Sequence, residues 1–134
     1  MSIKSLLVLK KQALLFSTLY TVTLLIFSLI TIDLGGIESF APSFGDKIFH
    51  FCAYALLTFI WVYTLNTRFK VQKNKAIAYV SVSAMLFGII IEVLQKVFTN
   101  TRHFDVEDIT ANVLGVLLTV LVFLFNIKRD VKKY

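Results

Sequence analysis

Four long apolar stretches, separated by short polar connections, run along the 134 residues of this chain. The first, residues 12–32, carries no charge at all. About 20 apolar residues in a helix cross ~30 Å of hydrocarbon, so this stretch predicts a membrane-spanning helix. Lys10 and Lys11 precede it as they would precede a signal peptide. The run is too long for that, and bulky Ile30 and Ile32 stand where small residues should precede a cleavage site. Three further helices are expected at about residues 46–65, 76–98 and 106–127. Gly35, Gly36, Pro42 and Gly45 break the chain between the first and second. Continuous rather than alternating apolar runs argue against a membrane β-barrel. Short connections join antiparallel neighbours. The expected architecture is therefore all-α: a four-transmembrane-helix up-down bundle in a single domain, residues 1–134, with no internal repeat.

Charge then orients the bundle. Lys4, Lys10 and Lys11 precede the first run; Arg68, Lys70, Lys73 and Lys75 separate the second and third; Lys128, Arg129, Lys132 and Lys133 follow the fourth. Asp33, Glu38, Asp46, Glu92, Asp105, Glu107 and Asp108 gather in or near the other two connections. Lys and Arg in short loops mark the cytoplasmic side, so both termini are expected in the cytoplasm and the acidic end outside.

The composition agrees with this picture. Hydrophobic residues make up 57% of the chain and the mean hydropathy is +0.79, beyond the usage of an ordinary soluble domain. The net charge of +6 sits on the flanks of apolar runs, which suits anionic lipid and leaves no basic face for nucleic acid. The single Cys52 has no internal disulfide partner and is expected to act as a small core-packing residue.

Polar residues inside the apolar runs carry the candidate chemistry. Asp46, His50 and Tyr54 are spaced i, i+4, i+8 and share one helical face, with Lys47 beside them. Asp46 also suits a helix N-cap. Glu92 and Gln95 stand at i and i+3, with Glu92 some ~9 Å inside the outer end of its helix. A carboxylate there must be protonated, hydrated or paired, and Lys96, His50 and Arg102 are the available partners. Asp105, Asp108 and Asn112 form one stripe of the fourth helix. Asp105 and Asp108 also resemble a capping arrangement. Gly115, one turn after Asn112, would let a neighbouring helix approach closely. His103 and Glu107 fall off the stripe, on a solvated rim.

Three elements appear in order with fixed spacing: Asp46-Lys47-x-x-His50-Phe51 followed by Tyr54; Glu92-x-x-Gln95; and Arg102-x-x-Asp105-x-x-Asp108-x-x-x-Asn112-x-x-Gly115. In these elements the chain resembles the VanZ-like family, bacterial membrane proteins named for a teicoplanin-resistance determinant. The resemblance covers residues 46 to about 120. It implies a four-helix protein of the bacterial cytoplasmic membrane, connected to cell-envelope chemistry, without defining a reaction.

Three functional readings share these residues. In the first, an enzyme acts on a cell-envelope or lipid-linked precursor. His50, Glu92, Asp105 and Asp108 carry the chemistry, and Asp46, Lys47, Tyr54, Gln95, Arg102 and Asn112 bind the substrate. In the second, the same residues hold a lipid headgroup or a glycopeptide without turnover. The third is a small proton-coupled transporter, against which the polar residues stop in the outer half of the bundle. A set of polar contacts that only joins helices is the remaining alternative. Whether a divalent metal is bound, and any other cofactor, is left open by sequence, since His50, Glu92, Asp105 and Asp108 lie on different helices.

Overall fold

The computed structural model describes residues 2–30, 43–98 and 104–132. Four helices fill them: α1 (Ile3–Ile30), α2 (Ser43–Thr67), α3 (Lys73–Phe98) and α4 (Val106–Val131). Each is long and apolar enough to cross a membrane. In lipid the backbone must satisfy its own polar groups, and an unbroken apolar run does so as a helix. Arg102 and His103, and most of the connection between α1 and α2, lie outside the described residues.

The helices extend beyond the apolar stretches. α1 begins at Ile3, well before Gln12, because Lys4, Lys10 and Lys11 are good helix formers and continue the helix past the apolar run. α2 begins at Ser43, three residues before Asp46. Asp46 is therefore an acid in the first turn, favoured by the helix dipole, rather than the N-cap.

Contacts give the directions of the helices. Along α1 and α2, the Ser17 and Thr64 hydroxyls share a hydrogen bond at 2.6 Å, and Trp61 Nε1 donates to Thr21 Oγ1 at 2.8 Å. Moving up one helix moves down the other, so the pair is antiparallel. Along α2 and α4, Lys47 meets Asp108, His50 meets Asn112, and Thr119 Oγ1 donates to the Ala55 carbonyl. These contacts advance together, so α2 and α4 run parallel. At Gly115 the two backbones touch. A Cβ there would collide with the Phe51 carbonyl oxygen and stand 3.0 Å from the Ala55 nitrogen.

The bundle turns from α2 to α3 within a few residues. Lys70 takes a left-handed conformation (φ 54°), at a cost of about 1–2 kcal/mol. Asn66 Nδ2 offsets this by donating to the Val71 carbonyl at 3.0 Å, and the Val71 N–H returns to Leu65 O at 3.0 Å.

The outer surface is apolar on every helix, with Phe16, Phe27, Tyr79, Leu86, Ile90 and Phe125 all exposed. Water would not tolerate so much apolar surface; acyl chains would. Cys52 belongs to this lipid-facing surface, contrary to the expectation of core packing. The buried stripe of α2 runs through His50, Ala53, Tyr54, Leu57 and Thr58, and position 52 falls on the opposite side.

Inside, Leu24, Ala53, Tyr54, Leu57, Ala84 and Val116 form one cluster, and Val62, Ala76, Ile77, Val80 and Phe123 form another nearer the basic end. The hydroxyls in this half turn to main-chain carbonyls: Thr58 to Tyr54 O, Thr64 to Ile60 O and Thr119 to Ala55 O. Their hydrogen-bonding capacity is taken up by helices, which leaves them poorly placed to line a polar path.

Candidate functional site

The acid-rich end of the bundle joins the starts of α2 and α4 to the end of α3. Asp105 ends the α3–α4 connection as the N-cap of α4, with extended backbone (φ −105°, ψ 106°) and Oδ1 accepting the Glu107 N–H at 2.8 Å. Its other oxygen, Oδ2, accepts from Lys47 Nζ at 2.7 Å. The same ammonium donates to Asp108 Oδ1 at 2.7 Å and stands 3.5 Å from Glu107 Oε2. Lys47 thus bridges α2 to the first turn of α4. Its hydrogen bond holds the Asp105 carboxyl below the usual carboxylate range. Glu107 is 81% exposed and stays on the rim.

One turn deeper, His50 lies between α2 and α4. Its Nδ1 is 3.0 Å from Asn112 Oδ1. An amide oxygen only accepts, so the ring donates Nδ1–H and, when neutral, presents a lone pair on Nε2. That nitrogen stands 3.7 Å from Asp46 Oδ1 and 3.7 Å from Asp108 Oδ2. Asp108 therefore divides its oxygens, one toward Lys47 and one toward His50. The Asp108 and His50 side chains are only 5% and 8% exposed, whereas Asp46 is 36% exposed. Asp46, His50 and Asp108 each present one donor atom, all within 4.8 Å of one another, in an arrangement that a metal ion would fit.

Glu92 and Gln95 occupy the inner side of α3. Glu92 Oε1 accepts the Asp105 main-chain N–H at 3.0 Å, so a buried carboxylate supports the entry to α4. Lys96, the neighbouring cation on α3, is exposed. Gln95 Nε2 donates to the Ser28 carbonyl at 2.8 Å and fastens α3 to the end of α1.

Tyr54 is 1% exposed, inside the core, and among the described residues its hydroxyl has no hydrogen-bond partner. Gly88 makes room for it. A Cβ at Gly88 would stand 3.0 Å from Asn112 Nδ2 and 3.1 Å from Tyr54 Cε1, so the phenol ring and the amide both border that glycine. Sequence reasoning did not single out Gly88. The available signal was a small residue one turn before Glu92 on the same face of α3.

The structure thus brings together Asp46, Lys47, His50, Asp105, Asp108 and Asn112. It places Glu92, Gln95 and Tyr54 at the edge of that group, bonded to main chain or packed in the core. Arg102 is outside the described residues. Chemically, the group offers an oriented imidazole, two carboxylate oxygens facing its free nitrogen, and one ammonium.

The model of the family described as VanZ/LLP1 matches residues 4–128. An uncharacterized protein of the yeast Schizosaccharomyces pombe is 35% identical over 100 residues, covering 70% of this chain and 58% of the yeast protein. The chain therefore spans less than two thirds of the length of that curated relative. No solved structure matches the chain.

Proposed function

The chain belongs to the VanZ/LLP1 family, and on that footing we propose that it acts on the polar head of a lipid-linked substrate at the acid-rich end of its bundle. The observation that carries this reading is His50, buried between α2 and α4, with Nδ1 fixed by Asn112 and Nε2 facing two carboxylates. A histidine so placed can take a proton from a water or hydroxyl that attacks a headgroup ester, then return it to the leaving oxygen. Asn112 and Asp108 orient and stabilise the ring as it charges. Lys47 holds Asp108 and Asp105 in place, and Glu92 fixes the start of the helix that carries them. Arg102, next to this end in sequence, supplies a cation for an anionic headgroup.

The Lys and Arg bias supports a cytoplasmic basic end, with the site on the extracytoplasmic face of a bacterial cytoplasmic membrane. A relative in a yeast favours a headgroup common to many membranes over one confined to a bacterial wall. If the lipid is a carrier of wall precursors, altered glycopeptide susceptibility follows.

The test uses the purified protein and its His50→Ala variant in nanodiscs of native lipid extract, with headgroup classes followed by mass spectrometry. A headgroup change produced by the wild type alone supports turnover. Enrichment of one lipid class on the wild type, lost in the variant, with no chemical change, replaces turnover by binding. Neither change nor enrichment overturns both.

A further inference from the structure

We infer that Asp46, His50 and Asp108 form a binding site for one divalent cation, held through His50 Nε2, Asp46 Oδ1 and Asp108 Oδ2. The donors are of the mixed nitrogen and carboxylate kind that first-row divalent ions accept, Mn²⁺ and Zn²⁺ among them. Their spacing suits the task. Around an ion with ligand bonds of about 2.1 Å, neighbouring tetrahedral donors stand about 3.4 Å apart. The two separations from Nε2 are 3.7 Å, a few tenths of an ångström wider. They are too long for hydrogen bonds, and the three donors all lie within 4.8 Å of one another.

Two further features match what metal ligands need. A ligating imidazole is held by a bond from its other nitrogen, and His50 Nδ1 has Asn112 Oδ1 at 3.0 Å. A ligating carboxylate is held through its second oxygen, and Asp108 Oδ1 has Lys47 Nζ at 2.7 Å. Asp105 turns its two oxygens to Lys47 and the Glu107 N–H and is not among the three converging donors. Charge points the same way. Lys47 is shared by Asp105 and Asp108, and Asp46 stands beside His50, so among the described residues the acids of this group outnumber its ammonium and a divalent ion would balance the excess. The His50 side chain is more than nine-tenths buried with its Nε2 turned into this group, independent of the acids clustered around it.

Three protein ligands leave open coordination positions, and Asp46 is the most exposed of the three. An ion on Nε2 takes up the lone pair that accepts the proton in the metal-free site. In the cation-bound protein the ion would therefore activate the attacking water and polarise a headgroup phosphate, a role that rests on the headgroup function proposed above. The cation site itself rests on the geometry alone.

The experiment is a titration of Mn²⁺ into the metal-stripped, full-length protein in nanodiscs of uncharged lipid, followed by electron paramagnetic resonance. One ion per chain is expected, with nitrogen hyperfine coupling from a single imidazole. Asp46→Asn and Asp108→Asn should each weaken binding about 10- to 100-fold, while Glu107→Gln, which removes a nearby exposed charge, leaves it unchanged. The nitrogen signal is read on the wild type, so a poorly folded His50 variant does not decide the matter. The inference falls if no stoichiometric ion binds below about 1 mM, if no nitrogen coupling appears, or if Glu107→Gln weakens binding as much as Asp108→Asn. Headgroup chemistry that persists in chelator, with no bound Mn²⁺, would refute the cation and leave the proposed function standing. Stoichiometric Mn²⁺ with no lipid change or enrichment would do the reverse.

Discussion

Glu92 Oε1 accepts the main-chain N–H of Asp105 at 3.0 Å, across the connection from α3 to α4. A carboxylate inside an apolar helix thereby holds the residue that caps the next helix and receives Lys47. Glu92→Gln keeps an oxygen that can accept this bond, so the fold should persist with a loss of about 1 kcal/mol. Glu92→Leu removes the acceptor and should cost about 1–3 kcal/mol. Thermal unfolding of the two variants in detergent checks the order.

Lys47 is a second anchor. Lys47→Met leaves the buried Asp108 without its ammonium and should destabilise by about 3 kcal/mol, the low end for a broken buried pair because Asp105 is partly exposed. Lys47→Arg should recover most of the loss by supplying two donors. Equal stability of the Met variant and the wild type would contradict the bridge.

The same bridge predicts an acid limb in stability. Asp105 titrates below its unfolded value when folded, so its contribution is complete above about pH 4 and declines as pH falls through the folded value. Asp105→Asn should flatten this limb while keeping a side-chain oxygen for the cap. Unfolding midpoints measured between about pH 2 and 6 would show it.

Packing separates the two inner glycines. Gly115→Ala drives a methyl into the Phe51 carbonyl, and a backbone cannot yield as a side chain can. A loss of about 3 kcal/mol or more is expected. Gly88→Ala meets only the ends of Asn112 and Tyr54 and should cost about 1 kcal/mol. Protease resistance of the two variants gives the comparison.

Orientation is testable with single cysteines. In a Cys52→Ala background, needed because Cys52 is exposed, Phe104→Cys should react with an impermeant reagent in intact cells, while Lys70→Cys should not. The opposite pattern would invert the proposed topology.

Much of this fold was legible because lipid imposes a simple rule: apolar runs become helices. The four helices and their alternation follow from run length and connection length alone. The helix starts did not follow, since lysines before Gln12 and Ser43 before Asp46 extend helices that hydropathy ends sooner. The i, i+4 relation of Asp46 and His50 was also legible, because one helix fixes it. The partnerships of Lys47 with Asp108, and of Glu92 with the Asp105 backbone, were not. They depend on the parallel seam of α2 and α4 and on the rotation of α3, which no spacing within a single helix determines. Cys52 was misplaced for a related reason. In lipid both faces of a helix are apolar, so hydropathy does not separate inside from outside, and only the polar stripe does.

At Gly115 the backbones of α2 and α4 meet with no side chain between them. This seam lies just beneath His50 and Asn112, so acyl chains cannot part the two helices and reach the imidazole sideways. Of the two residues facing His50 Nε2, Asp46 alone is substantially exposed. Among the described residues, the approach to His50 thus runs from the headgroup layer, down past Asp46. On the function proposed above, a lipid-linked substrate would keep its tail in the bilayer and lower only its head, which would limit the site to polar groups close to the membrane surface.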